Sequence, residues 1–190
     1  MKTFASVPDD RHWAMQAAIV LMLGVLWTFL SRAPSAAALG AGAPPSARAG
    51  FSAPDFTLDL LGGGQVTLSA LRGKVVIVNL WASWCPPCRA EMPAIEKIYQ
   101  AYKGQGLEVL AVNATFQDSE PDAAAFVQRF GLTFQIPLDR TGAVSNRYLL
   151  RALPSTYFIG RRGIVQSVAI GAMNEALIQS KVEELVQETP

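Results

Sequence analysis

The strongest constraint on this chain lies between residues 74 and 88. Lys74 to Trp81 reads KVVIVNLW, a nearly continuous apolar and β-branched run. That is the pattern of a central strand buried on both faces. Four residues beyond it stands Cys85-Pro86-Pro87-Cys88, and then Ile95, Ile98, Tyr99 and Tyr102 recur at helical spacing. A strand covered on both sides, feeding a helix through a tight turn, requires a layered α/β domain.

The surrounding sequence fills in that domain. Asp55 to Leu60 and Gln65 to Leu68 flank Gly62-Gly63-Gly64 and predict an N-terminal β-hairpin. Leu107 to Asn113 predicts a second central strand, and Asp122 to Phe130 a helix stopped by Gly131. A short strand at Ile136 to Leu138 and a short helix at Ala143 to Tyr148 follow. Ser155 to Ile159 and Val165 to Ile170 predict a hairpin around Gly160-Arg161-Arg162-Gly163. Glu175 to Val186 predicts a closing amphipathic helix. This order implies a mixed central sheet flanked by helices.

The chain before this domain has a different character. Ala14 to Leu30 carries no charge, and as a helix it would reach roughly 26 Å, the short end of a bilayer span. Lys2 and Arg11 precede it and Trp27 lies near its far end. It reads as a signal anchor, a transmembrane helix over residues 14–30 with residues 1–13 in the cytoplasm. Cleavage near Ala36-Ala37-Ala38 is the alternative. Residues 31–50 are almost entirely Ala, Gly, Pro and Ser and predict a flexible linker. The folded domain is then expected over residues 51–190.

Composition removes several kinds of chemistry. A formal net charge of +1 gives no basic face for nucleic acid. The single histidine, His12, precedes the apolar segment, so the domain has no imidazole for Cys-His or Ser-His-Asp catalysis. The chain has 2 cysteines, both in the C-x-x-C, too few for a four-thiolate zinc site or a disulfide framework.

A C-x-x-C that follows a buried strand and opens a helix is a redox signal. A thiolate attacks a disulfide, and helix-start N–H groups stabilise that thiolate. Cys85 is therefore expected to be the exposed attacking sulfur and Cys88, one turn on, the resolving one. Pro86 and Pro87 have no N–H to donate, which predicts a modestly lowered Cys85 pKa and a reducing pair.

The segment Trp81-Ala82-Ser83-Trp84-Cys85-Pro86-Pro87-Cys88-Arg89-Ala90-Glu91-Met92-Pro93 resembles the active-site segment of the TlpA/ResA-like branch of the thioredoxin superfamily. The resemblance runs from Ala53-Pro54-Asp55-Phe56 through the last helix. Leu153-Pro154-Ser155-Thr156-Tyr157-Phe158-Ile159 is similar to the family's second landmark. The resemblance implies a thioredoxin-like fold, a cis Leu153–Pro154 bond facing the cysteine pair, and a Leu153 main chain open to an extended client segment. Where ordinary thioredoxins carry a buried aspartate, this chain has Asn79, which cannot titrate. Glu91 matches the family's active-site glutamate, which implies a proton-passing role. Trp84, Pro86 and Pro87 are expected to line the client groove, while Trp81, Tyr148, Tyr157 and Phe158 are expected in the core or lining the groove.

The function this implies is an extracytoplasmic, membrane-anchored thiol–disulfide oxidoreductase on the periplasmic side of the inner membrane. It would reduce a disulfide-bearing client protein in cytochrome c maturation or copper-site assembly, with electrons from a membrane thiol reductase. No cofactor beyond the Cys85–Cys88 disulfide and no resident metal is expected. The alternatives are a Cu(I)-carrying module on the two thiolates and a disulfide oxidase or isomerase.

Overall fold

The computed structural model describes residues 15, 16, 18–24, 27 and 44–188. Residues 15, 16, 18–24 and 27 are helical and exposed, and the rest of the expected 14–30 anchor, like His12, lies outside the described residues. No helix among the described residues is long and apolar enough to cross a membrane.

A two-stranded antiparallel hairpin opens the domain, β1 (Thr57–Asp59) against β2 (Gln65–Thr67). The main sheet consists of β3 (Val75–Trp81), β4 (Leu107–Asn113), β5 (Ser155–Ile159) and β6 (Val165–Ile170) in the order β4-β3-β5-β6. β3 runs parallel to β4 and antiparallel to β5, so the sheet is mixed as expected. The helices are α1 (Pro86–Tyr102), α2 (Glu120–Phe130), α3 (Ala143–Arg147) and α4 (Glu175–Gln187).

All seven residues of β3 are buried, and the strand's period of two divides them between two cores. Val75, Ile77 and Trp81 join Met92, Ile95 and Ile98 of α1, Phe126 of α2 and Ile178 and Val182 of α4. Val76, Val78 and Leu80 join Phe56, Val66, Tyr148 and Tyr157 on the other face. The odd-numbered face is the one that carries Asn79, so this amide is directed into the layer that holds α1.

Three sequence expectations need correction. β4 lies at the end of the sheet order, not in its middle. Its continuous apolar run is explained by what lies along its free edge. Ala111 and Asn113 donate to the carbonyls of Gln135 and Pro137, and Asp139 donates to that of Asn113. That neighbouring segment forms only isolated bridges instead of the expected strand at Ile136–Leu138, because Pro137 has no ladder N–H. Third, the domain does not begin at Phe51. Ala47 is buried in the core, Ser46 N–H donates to Ser52 and Gly50 N–H to Val165. Small residues that read as linker here pack as an additional edge.

One boundary also moves for a visible reason. α2 begins at Glu120 because Ser119 caps it, accepting from Asp122 N–H and donating to the Asp122 carboxylate at 2.6 Å. It ends where Gly131 turns left-handed at φ 60°. Arg161, in the turn between β5 and β6, is held by the rest of the fold. Its guanidinium donates to the carbonyls of Gly73, Gln105 and Val186, tying the β5–β6 turn to the start of β3 and the end of α4.

Candidate active site

Cys85 is the N-cap of α1, with extended backbone angles, while Pro86 and Pro87 occupy the first helical positions. Proline suits that place because its fixed φ is helical and its missing N–H would have had no partner in the first turn. The first available donor is therefore Cys88, whose N–H reaches Cys85 Sγ at 3.2 Å. The two cysteines form a disulfide across a Cα–Cα distance of 5.3 Å.

The sulfur expected to attack is less open than the sequence suggested. Cys85 is only 2 % exposed in this oxidised state, and Cys88 is 0 % exposed. Cys85 nevertheless lines an open cleft of about 570 Å³ with Trp84, Pro86, Pro87, Phe116 and Leu153. Access is thus through the cleft wall, not from a sulfur standing free in solvent. Trp84 is half exposed at the rim, held by its indole N–H on the Gln117 carbonyl at 2.9 Å. Trp81 is wholly buried against Phe126, its ring centroid 4.6 Å away.

The Leu153–Pro154 bond is cis. Pro154 is buried, and its carbonyl accepts from Gly171. Leu153 borders the cleft, and among the described residues its backbone makes no hydrogen bond. That leaves one N–H and one C=O without a partner at a residue that lines the same cleft as Cys85, and a free backbone pair is what an extended peptide uses to add itself to a fold.

Glu91 is fully buried, not a solvated first-turn glutamate. It lies three residues after Cys88, on the same face of α1. Its Oε1 accepts from Asn79 Nδ2 at 2.8 Å and its Oε2 from the Met173 N–H at 3.0 Å. Burial pushes its carboxyl up to about 6, although the two hydrogen bonds pull the other way. A carboxyl there can hold or release a proton near neutral pH. Asn79 Nδ2 also donates to Thr156 Oγ1 at 2.9 Å, across the register pair that joins β3 to β5.

A second carboxylate supports the site from outside, and sequence reasoning did not single it out. Asp118 accepts from Ser83 N–H and Ser83 Oγ, from Asn113 Nδ2 and from Ser119 N–H. Partial burial raises its pKa, but these four donors prevail and hold it below the ordinary aspartate value. Only its position in the polar loop Gln117-Asp118-Ser119 hinted at a capping role. The contributions of Thr156 and of the Met173 backbone carried no sequence signal. Among the described residues, no group of three or more His, Cys, Asp or Glu could hold a metal ion.

Residues 49–168 match the model of the AhpC/TSA family. The thiol-disulfide oxidoreductase ResA of Geobacillus kaustophilus is 42 % identical over 138 residues, 72 % of this chain and 77 % of that protein. A putative thiol:disulfide interchange protein DsbE from Chlorobium tepidum superposes with a TM-score of 0.66 at 30 % identity, covering 71 % of this chain and 95 % of that one. A putative protein disulfide isomerase from Bacteroides thetaiotaomicron gives 0.68 at 31 % identity, over 74 % and 91 %.

Proposed function

This chain belongs to the AhpC/TSA family and is a thiol-disulfide oxidoreductase of the ResA and DsbE type with a thioredoxin-like fold, and from that premise we propose that it works as a reductant of client-protein disulfides outside the cytoplasm. The observation that carries this reading is the placement of Cys85. It caps α1, is bonded to Cys88 one turn later, and lines the cleft beside Leu153.

The reaction runs from the reduced pair. The Cys85 thiolate attacks one sulfur of the client disulfide, forming a Cys85–client bond and releasing the other client sulfur as a thiolate. Cys88 then gives its proton to the Glu91 carboxylate, and its thiolate attacks Cys85 Sγ. The second client sulfur leaves with the electron pair, and the two client thiolates each take a proton, one from Glu91 and one from solvent. The client gains two electrons and two protons, and the Cys85–Cys88 disulfide remains. The direction is favoured by the helix start. Two of the first three helical residues are prolines, so Cys88 N–H is the donor that reaches Cys85 Sγ. A weakly stabilised thiolate is the better electron donor.

The uncharged segment 14–30 supports an anchor that keeps the domain near membrane-bound partners. The family resemblance supports cysteines of apocytochrome c, or of copper-site assembly proteins, as clients. The sequence offers no G-x-G-x-x-G nucleotide fingerprint after a strand, which supports a membrane thiol reductase as electron source. The test is the equilibrium reduction potential of the Cys85–Cys88 couple against glutathione and dithiothreitol buffers. A reductant gives about −250 mV or below, whereas a value near −120 mV would overturn the assignment in favour of an oxidase.

A further inference from the structure

We propose that Asn79 is the positioning residue that lets Glu91 exchange its proton in place, its amide presenting N–H to the ionised carboxylate and its carbonyl oxygen to the neutral acid. This rests on the reading of Glu91 as the proton-handling group of the cysteine pair.

The hydrogen-bond inventory around Glu91 leads there. Asn79 is fully buried on β3. Both hydrogens of its Nδ2 are committed, one to Glu91 Oε1 at 2.8 Å and one to Thr156 Oγ1 at 2.9 Å. Its Oδ1 is buried and has no partner among the described residues. Glu91 Oε2 takes the Met173 N–H at 3.0 Å. Each carboxylate oxygen thus receives one N–H, which is right for the anion and incomplete for the acid. A protonated Glu91 brings an O–H that needs an acceptor, and a buried donor left without one is costly.

The unfilled acceptor beside it is Asn79 Oδ1. Turning the amide about its terminal bond exchanges N–H for C=O at the same two contacts, and carries the Nδ2 hydrogens to the side on which Oδ1 had no donor. Oδ1 then accepts the Glu91 O–H and also the Thr156 hydroxyl, which can donate as readily as accept. An ionised or an aliphatic side chain cannot serve both states. An aspartate would set a second carboxylate against the first, and an aliphatic side chain would leave Oε1 without its donor.

No competing charge acts on the pair. From β3, Glu91 meets the Asn79 amide, and from the loop before α4 the Met173 N–H. On its own helix the ionisable neighbour is Cys88, one turn back. No lysine, arginine or second carboxylate contributes to its raised pKa, whose causes are burial and those two hydrogen bonds. When Cys88–SH passes its proton to the Glu91 carboxylate, the products are a Cys88 thiolate and a Glu91 acid. The amide turns to accept the acid's O–H, and no electrons move in this step.

The test uses the intact protein labelled with 13C and 15N, followed by NMR from pH 4 to 9, together with exchange kinetics on a disulfide-bridged model peptide. The proposal expects Glu91 Cδ and Asn79 Cγ to titrate with one midpoint. Asn79 Cγ should move downfield as its oxygen gains a donor, and an Nδ2 proton should move upfield. In Asn79→Val both states of Glu91 lose a partner, and the pH–rate midpoint belonging to Glu91 should rise by about one unit, a tenfold change in proton affinity, because the charge-assisted hydrogen bond to the anion is worth more than the neutral one to the acid. If Glu91 titrates while Asn79 Cγ stays fixed, or if the midpoint is unmoved in Asn79→Val, this inference is overturned and the role of Glu91 stands. If Glu91→Gln leaves the pH–rate profile unchanged, both are overturned. The wild-type titration decides the matter even where Asn79→Val does not fold.

Discussion

Ser83 is bonded twice to Asp118, through its backbone N–H and its hydroxyl, each at 2.6 Å. Two residues before Cys85, the turn is thereby tied to the loop after β4. Arg89 Nε closes the same turn from the helix side, donating to the Ser83 carbonyl at 2.9 Å. The position of Cys85 is thus fixed by partners on both flanks, and a protein that presents one sulfur to large clients needs that rigidity more than it needs exposure.

Asp118→Ala removes the acceptor of four hydrogen bonds and should cost about 2–3 kcal/mol, since bonds to a charged group are worth about 1.5–3 kcal/mol each and the freed donors are partly rehydrated. Because its folded pKa is depressed, the contribution is complete above the unfolded aspartate pKa and is lost as pH falls through the folded value. Urea unfolding of wild type and Asp118→Asn across the acid range checks this, and the variant should show the shallower pH dependence.

Glu91 has the opposite sign. Its folded pKa of about 6 stands above the ordinary glutamate value of 4.5, so the oxidised protein loses stability as pH rises between those values. The loss amounts to about 2 kcal/mol at 1.36 kcal/mol per unit. In Glu91→Gln that slope should vanish, and the variant should be as stable as wild type or more so at pH 7. Unfolding midpoints at pH 4, 5, 6 and 7 test the slope.

Trp84 and Phe116 line the cleft of Cys85, and both are about half exposed. Aromatic side chains placed this way anchor a docked segment, at about 1–2 kcal/mol each. Alanine at either position should lower kcat/KM for a disulfide-bridged peptide by about 5–30-fold. Exchange with oxidised glutathione, too small to span the cleft, should change less than about twofold. Parallel loss on both substrates would place these residues in support of the cysteines instead of the client.

Arg161→Ala should destabilise the domain by about 1–2 kcal/mol, because three backbone carbonyls from separate segments lose their donor. The exchange rate at 25 °C should be unchanged, since the residue stands at the end of β5 opposite to Pro154. Thermal unfolding beside a peptide-reduction assay separates the two effects.

Much of this molecule was legible because local and global signals agree. The run Val75–Trp81 could be nothing but a buried strand, and the C-x-x-C after it could open only a helix. The reading was weaker where tertiary contact decides. Nothing local distinguishes β4 from a central strand, because residues 135–139 bury an edge that the sheet order leaves open. Ala47 reads as linker since its burial depends on a distant strand. In the site, Cys85, Cys88 and Glu91 were evident from spacing and resemblance. Thr156, Asp118 and the Met173 N–H were not, because each acts through a hydrogen bond across at least 35 positions of chain.

The most direct test is to trap the reaction halfway. Reduced Cys88→Ala, mixed with a disulfide-bridged model peptide and quenched in acid, should give a stable one-to-one adduct. Mass spectrometry should place its bond at Cys85, and Cys85→Ala should form no adduct. An adduct through residue 88 in Cys85→Ala, or none in Cys88→Ala while the wild type still reduces the peptide, would contradict the account.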